Sequence, residues 1–240
     1  MSFTNAMKHD AIVTKVTRHA PHIVTVYFSL CDGDAPVYPF TAGQYLSVYF
    51  DETGVREGKA YSISATPWDD ELAITVKDVS GPFSSRLCAL KPGNHLTVSS
   101  PFGFFNVHDD TPITAIAAGV GVSPILSIIR DELKKDAARP ISLYFTAPHE
   151  NELVFRPRID ELFSTATRAQ VHYFVTREKS SVGLPRRFSV SDDVSSSELA
   201  ASRFYVCGAD TFVRAMWCSL MEAGVDETRV VTETFFESAL

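Results

Sequence analysis

Two rhythms of apolar and polar positions divide this chain. From residue 8 to about 105, short β-branched and aromatic runs alternate with turn signals, at 11–16, 23–28, 45–50, 72–77 and 95–98. Strands at that spacing, with little of helix length between them, predict an antiparallel β-barrel. One short helix is expected from Ser84 to Leu90, stopped by Lys91-Pro92-Gly93. Beyond about residue 110 strands and helices alternate, the mark of a doubly wound parallel sheet with helices on its faces. Strands are predicted at 113–118, 141–147, 171–176, 203–207 and 229–234, and helices at 124–135, 157–163, 192–200 and 210–223. The last helix has Asp210 as its expected cap, apolar positions at 212, 213, 216, 217, 220 and 221, and Gly224 as its stop. The pattern gives two domains, 1–107 and 108–240, joined near Pro101-Phe102-Gly103-Phe104-Phe105-Asn106. A ligand cleft is expected between them, at the carboxyl ends of the parallel strands.

Two segments carry candidate chemistry. The apolar run Ile113 to Ala118 ends in Gly119-Val120-Gly121-Val122-Ser123-Pro124. Glycines permit a tight turn close to a ligand, with Ser123 read as helix cap and Pro124 as the first helical residue. Free N–H groups and the helix dipole would make that turn an anion site. An ordinary strand–helix connection shows similar residues, and the segment lacks the full dinucleotide fingerprint. The second segment is Lys59-Ala60-Tyr61-Ser62-Ile63-Ser64. Its aromatic ring suits stacking on a flat ligand, its cation a phosphate, and its hydroxyls a ring nitrogen. Equally, it reads as an alternating strand with Tyr61 and Ile63 turned to a core.

Composition narrows the field. A chain of 240 residues with 45% hydrophobic and 21% charged positions is globular and long enough for two domains. A net charge of −7 argues against nucleic acid and anionic membranes as partners. Cys31, Cys88, Cys207 and Cys218 are too scattered for a zinc knuckle or an iron–sulfur loop. The seven histidines show no ligand spacing, so no metal is expected. Without a basic start leading into an apolar segment, the chain is expected to be cytoplasmic with free thiols. The stretch from Ile113 to Ile129 is interrupted by glycine and proline and is too short for a membrane span.

Taken in order, the motifs resemble the ferredoxin–NADP reductase superfamily of flavoenzymes. The likeness runs from Tyr38-Pro39-Phe40-Thr41-Ala42-Gly43-Gln44-Tyr45 through the Lys59 segment. It continues through Val76-Lys77, Gly81-Pro82-Phe83-Ser84-Ser85, Lys91-Pro92-Gly93 and Pro101-Phe102-Gly103-Phe104-Phe105. The glycine turn, Phe204-Tyr205-Val206-Cys207-Gly208 and Thr232-Glu233-Thr234-Phe235-Phe236 complete it. The short tail makes the chain most similar to the reductase modules of flavohaemoglobins and of the reductase serving the hybrid-cluster protein.

The resemblance implies FAD in the barrel and NADH or NADPH on the parallel sheet. Tyr61 would stack on the flavin and Ser62 would bond near its N5, with Ala60, Tyr45 and Val76 as further contacts. Lys59 stands where the family usually has Arg, keeping charge but losing the bidentate fork. Gly81, Pro82, Ser84 and Ser85 would hold the FAD pyrophosphate. Gly119, Val120, Gly121, Val122, Ser123 and Pro124 would take that of the coenzyme, with Cys207 and Gly208 under the nicotinamide. Glu233, Phe235 and Phe236 would close over the flavin. Arg177 matches a position used for a 2′-phosphate, yet Glu150 and Glu152 would repel one, which favours NADH. With neither ferredoxin nor globin in the chain, electrons would pass to a separate redox protein. A free flavin or ferric reductase, an electron-transfer subunit that needs a partner chain, and a binding module without flavin remain as rivals.

Overall fold

The computed structural model describes residues 7–31, 39–50 and 58–235, so Tyr38 and Phe236 lie outside the described residues. Two compact units emerge, the first ending at Asn106 and the second beginning at Val107.

The first unit contains strands β1 (Lys8–Ala20), β2 (Ile23–Leu30), β3 (Tyr45–Tyr49), β4 (Lys59–Ser62) and β5 (Leu72–Lys77), helix α1 (Pro82–Ala89) and strand β6 (His95–Ser99). They form an antiparallel sheet in the order β4-β3-β6-β1-β2-β5. Ile63, just past β4, bridges Ile74 of β5, so the two edges meet and the sheet closes as the expected barrel. Alternation does the sorting: Val24, Val26 and Phe28 point inward with Leu46, Val48 and Ile74, and α1 adds Phe83 and Leu87 to this core. β1 runs longer than the predicted 11–16 because two register shifts bend it, letting one strand pair with both β2 and β6. The opposite face of β2 and β5 carries the buried pair Thr25 and Thr75. There a chain of hydrogen bonds links His19 Nε2 to Thr25 (2.8 Å), Thr25 to Thr75 (2.9 Å) and Thr75 to Ser64 (2.8 Å).

The second unit contains β7 (Ile113–Ala118), α2 (Val122–Lys135), β8 (Ile141–Ala147), α3 (Arg156–Thr165), β9 (Ala169–Val175), α4 (Val190–Asp193), α5 (Ser196–Ala201), β10 (Arg203–Ala209), α6 (Asp210–Glu222) and β11 (Val230–Phe235). Every strand pair is parallel, in the order β11-β10-β7-β8-β9. β7 is therefore central, and the chain reverses its direction of growth between β7 and β10, as expected for a doubly wound sheet. α4 and α6 cover one face through Val190, Val213 and Leu220, packed on Ile116, Tyr144 and Val206. At the amino ends of the strands, buried Arg139 pairs with Glu132 and donates to the carbonyls of Asp109 and Thr111.

Four helix starts differ from the sequence reading, the first being α1, which begins at Pro82 rather than Ser84. α2 begins at Val122 rather than Pro124, because Gly119–Gly121 form a 3-10 turn that delivers the chain into the helix early. Gly121 takes the cap position, and Ser123 lies within the first turn. α6 has Ala209 at its cap; Asp210 is already helical and pairs with Arg214 at 2.8 Å. The helix expected at 192–200 is two short ones, since Val194 stays extended and Ser195 caps α5 by accepting from the Glu198 N–H. Gly224 ends α6 as predicted, with φ of +82°. Among the described residues no helix is long and apolar enough to cross a membrane.

Candidate functional site

In the second unit the candidate residues converge at the carboxyl ends of β7 and β10. Ala117 is in register with Cys207, and Cys207 with Glu233 on the other side. The glycine turn lies directly against this edge. A Cβ at Gly121 would sit 2.6 Å from the Cys207 carbonyl carbon and 2.8 Å from the Gly208 nitrogen. A Cβ at Gly208 would meet Ala118 Cβ at 2.9 Å. Both positions need glycine for space, whereas Gly119 needs it for its φ of +53°. Bare backbone at a helix start beside a switch point fits a pyrophosphate. Within the same first turn, the Ser123 hydroxyl oxygen is buried without a hydrogen-bond partner among the described residues.

Cys207 is fully buried. Burial first, and then the neighbouring Glu233 carboxylate, push its thiol well above the usual range. It is a neutral, compact side chain and no thiolate nucleophile. Val120, Val122 and Pro124 belong to the same turn, with Val122 wholly buried. Phe235, half-buried, ends β11 opposite Ala209.

The residues expected near the coenzyme lie beyond β8 and β9. The N–H of Arg177 bonds to the Pro148 carbonyl at 3.0 Å, which fixes the loop. Arg177 and Glu178 are both exposed. Glu178 accepts from the Glu150 N–H at 2.6 Å and contacts His149 Nδ1 at 3.2 Å, and these bonds lower its carboxyl pKa. Glu150 in turn accepts from Ser180 at 2.9 Å. Glu152, named from sequence beside Glu150, is instead turned inward and is 4% exposed. The 3-10 turn Glu150–Glu152 rotates it away from the edge, and Glu178 supplies the second carboxylate there.

In the first unit β3 and β4 set Tyr45 opposite Ser62 and Leu46 opposite Tyr61. Tyr61 is half-buried with its ring packed against the barrel core, and burial raises its hydroxyl pKa. Lys59 and Ala60 are exposed, while Ser62 is 5% exposed. The Tyr45 ring rests on Gly103, where a Cβ would come within 3.0 Å of it. Val76, expected as a contact, has its side chain in the barrel core, because it pairs with Val24 on the inner face.

α1 follows with Gly81 as cap and Pro82 in its first turn, where a missing N–H costs nothing. The Ser85 hydroxyl donates to Asp78 Oδ1 at 2.8 Å, and that of Ser84 faces both Asp78 Oδ1 at 3.3 Å and the Gly81 carbonyl at 3.2 Å. An aromatic ring and a glycine-capped helix start are groups that suit a flavin and its phosphates, but the Ser85 hydroxyl already has an anionic partner. Asp78 had no signal in the sequence; it precedes the helix by a loop and reads there as a surface charge.

Residues 115–217 match the oxidoreductase NAD-binding domain family. A closed barrel and a doubly wound sheet with a glycine cradle define a nucleotide-dependent oxidoreductase of two units. Flavodoxin/ferredoxin–NADP reductase of Shigella flexneri is 30% identical over 221 residues, 85% of this chain and 88% of that protein. The chain belongs to the ferredoxin–NADP reductase family. The ferredoxin–NAD(P)(+) reductase component of the Pseudomonas putida naphthalene 1,2-dioxygenase system is 25% identical over 210 residues, 85% of this chain. This chain spans between 59% and 62% of the length of four curated relatives, three-fifths in each case. Among solved structures, the flavohem-like FAD/NAD binding domain of nitric oxide dioxygenase from Vibrio cholerae has a TM-score of 0.85 at 22% identity. That match covers 95% of this chain and 98% of the other.

Proposed function

We propose that this protein is an NAD(P)H-dependent flavin reductase that passes electrons to a separate redox protein. Membership of the ferredoxin–NADP reductase family supports flavin as the redox group of this reading. The observation that carries it is the contact of Gly121 with the backbone of Cys207 and Gly208, which keeps side chains off the ligand edge of the sheet. Bound flavin supplies a hydride acceptor at N5 and a store from which electrons leave singly or in pairs.

The residues do the positioning. Tyr61 offers a half-buried ring face for stacking, and Ser62 a hydroxyl for the reactive edge. Lys59 contributes positive charge near a phosphate, without the planar grip of arginine. Gly119 and Gly121 let backbone N–H groups approach the coenzyme pyrophosphate. Cys207, held neutral, gives a small and uncharged floor beneath the nicotinamide. Glu233 adds negative charge beside it.

The coenzyme favoured by this reading is NADH. Glu150 and Glu178 gather carboxylates at the edge where the ribose would lie, and Arg177 is a single cation against them. The acceptor is a protein carrying its own redox centre, as the name of the Pseudomonas putida relative implies for that protein. Anaerobic stopped-flow with FAD in excess tests the reading. NADH should bleach the flavin quickly and NADPH more slowly; no bleaching by either coenzyme overturns it.

A further inference from the structure

The donors assigned to a flavin pyrophosphate are already engaged from within. Asp78 leaves the end of β5 and turns its carboxylate onto the start of α1. Its Oδ1 accepts from the Ser80 N–H at 2.8 Å, the Ser85 hydroxyl at 2.8 Å and the Ser84 hydroxyl at 3.3 Å. Ser84 Oγ in turn accepts the N–H groups of Val79 and Gly81, each at 3.2 Å. These bonds hold the Asp78 carboxyl below its ordinary pKa, so it is charged at neutral pH. A carboxylate on these groups does for the helix start what a phosphate would do. A pyrophosphate arriving there meets one negative charge at close range, the Ser85 hydroxyl turned to Asp78, and a Ser84 hydroxyl whose proton is shared between Asp78 and the Gly81 carbonyl at 3.2 Å.

We propose that Asp78 makes flavin an exchangeable ligand of this protein by occupying the pyrophosphate donors itself. The inference rests on the flavin-binding reading above. The site then grips the isoalloxazine through Tyr61 and gains little from the phosphates, so riboflavin, FMN and FAD bind with similar strength. Lys59 in place of arginine acts in the same direction, since it too weakens phosphate contact.

The test uses the full-length apoprotein titrated with riboflavin, FMN and FAD, followed by quenching of flavin fluorescence. Asp78→Asn keeps an acceptor oxygen at the same place and removes the charge, and Asp78→Ser is a second neutral variant. Both should tighten FAD binding by about tenfold, while riboflavin affinity moves by less than about twofold. Unchanged riboflavin binding also certifies that each variant is folded. If wild type holds FAD far more tightly than riboflavin and neither variant changes that ratio, Asp78 has no such role. Should none of the three flavins bind wild type or variants, the flavin reading itself falls, a result distinct from an unchanged ratio.

Discussion

Gly121 and Cys207 lie in van der Waals contact across the turn that links β7 to α2, and no side chain at position 121 fits between them. Gly121→Ala should push that turn off the sheet edge. Overpacking of this kind costs about 1–3 kcal/mol, and coenzyme KM should rise alongside. Gly119→Ala is the control, since a Cβ there meets nothing within 4 Å. Its φ of +53° makes the cost purely conformational, roughly 1–2 kcal/mol. Urea unfolding of the two variants separates crowding from strain.

Tyr61→Ala should weaken binding of every flavin form by a similar factor, because the ring contact is common to riboflavin, FMN and FAD. Tyr61→Phe should retain most of the affinity, since the hydroxyl contributes nothing to stacking. Fluorescence titration reads both outcomes.

Glu178→Gln should improve use of NADPH. The side chain is exposed, so the gain is modest, about fivefold in kcat/KM. NADH should change less. Arg177→Ala should do the reverse, raising KM for NADPH alone. Steady-state kinetics at low and high salt checks both, with the differences shrinking as salt is added.

His19 makes the first unit sensitive to acid. Burial lowers its pKa below the ordinary value of 6.5. The unfolded chain therefore takes up a proton from about pH 7 downward while the folded one resists, so stability is lost as pH falls through that window. Tm should drop between about pH 7.5 and 5.5, and His19→Gln should flatten the profile. Thermal melts across that range provide the measurement.

Arg139 and Glu132 are 6% and 5% exposed and form a buried ion pair in the second unit. Arg139→Met leaves the carboxylate without its main partner and should cost about 3–5 kcal/mol. Lys135, at 2.8 Å from Glu132, moderates the loss. Replacing both residues with apolar ones should restore much of the stability.

How far the sequence foretold all this depends on the range of each interaction. Alternation at Ile23 to Phe28 and the apolar run at Ile113 to Ala118 are local, and they located the barrel and the parallel sheet. The convergence of Gly121, Cys207 and Glu233 is not local; strand order creates it, and the family resemblance alone anticipated it. Ser84 and Ser85 were recognisable as a helix start, whereas Asp78 looked like any loop acid. Thr25 showed only as a polar break in a strand, because its partner Thr75 is 50 residues distant. Glu152 was misjudged against Glu178 because the path of one 3-10 turn decides which carboxylate faces outward. Asp210 and Ser123 fall inside their helices for two different reasons: β10 feeds straight into α6, whereas the 3-10 turn Gly119–Gly121 starts α2 early and leaves Gly121 at its cap.

Arg139 ties the segments preceding β7 and β8 to α2, at the end of the sheet remote from the coenzyme edge. Anchorage and recognition are thus placed on opposite rims of the same five strands. Loops on the recognition rim are free to drift in sequence without loosening the scaffold, which gives this fold a route to altered nucleotide preference by exchange of a few loop residues.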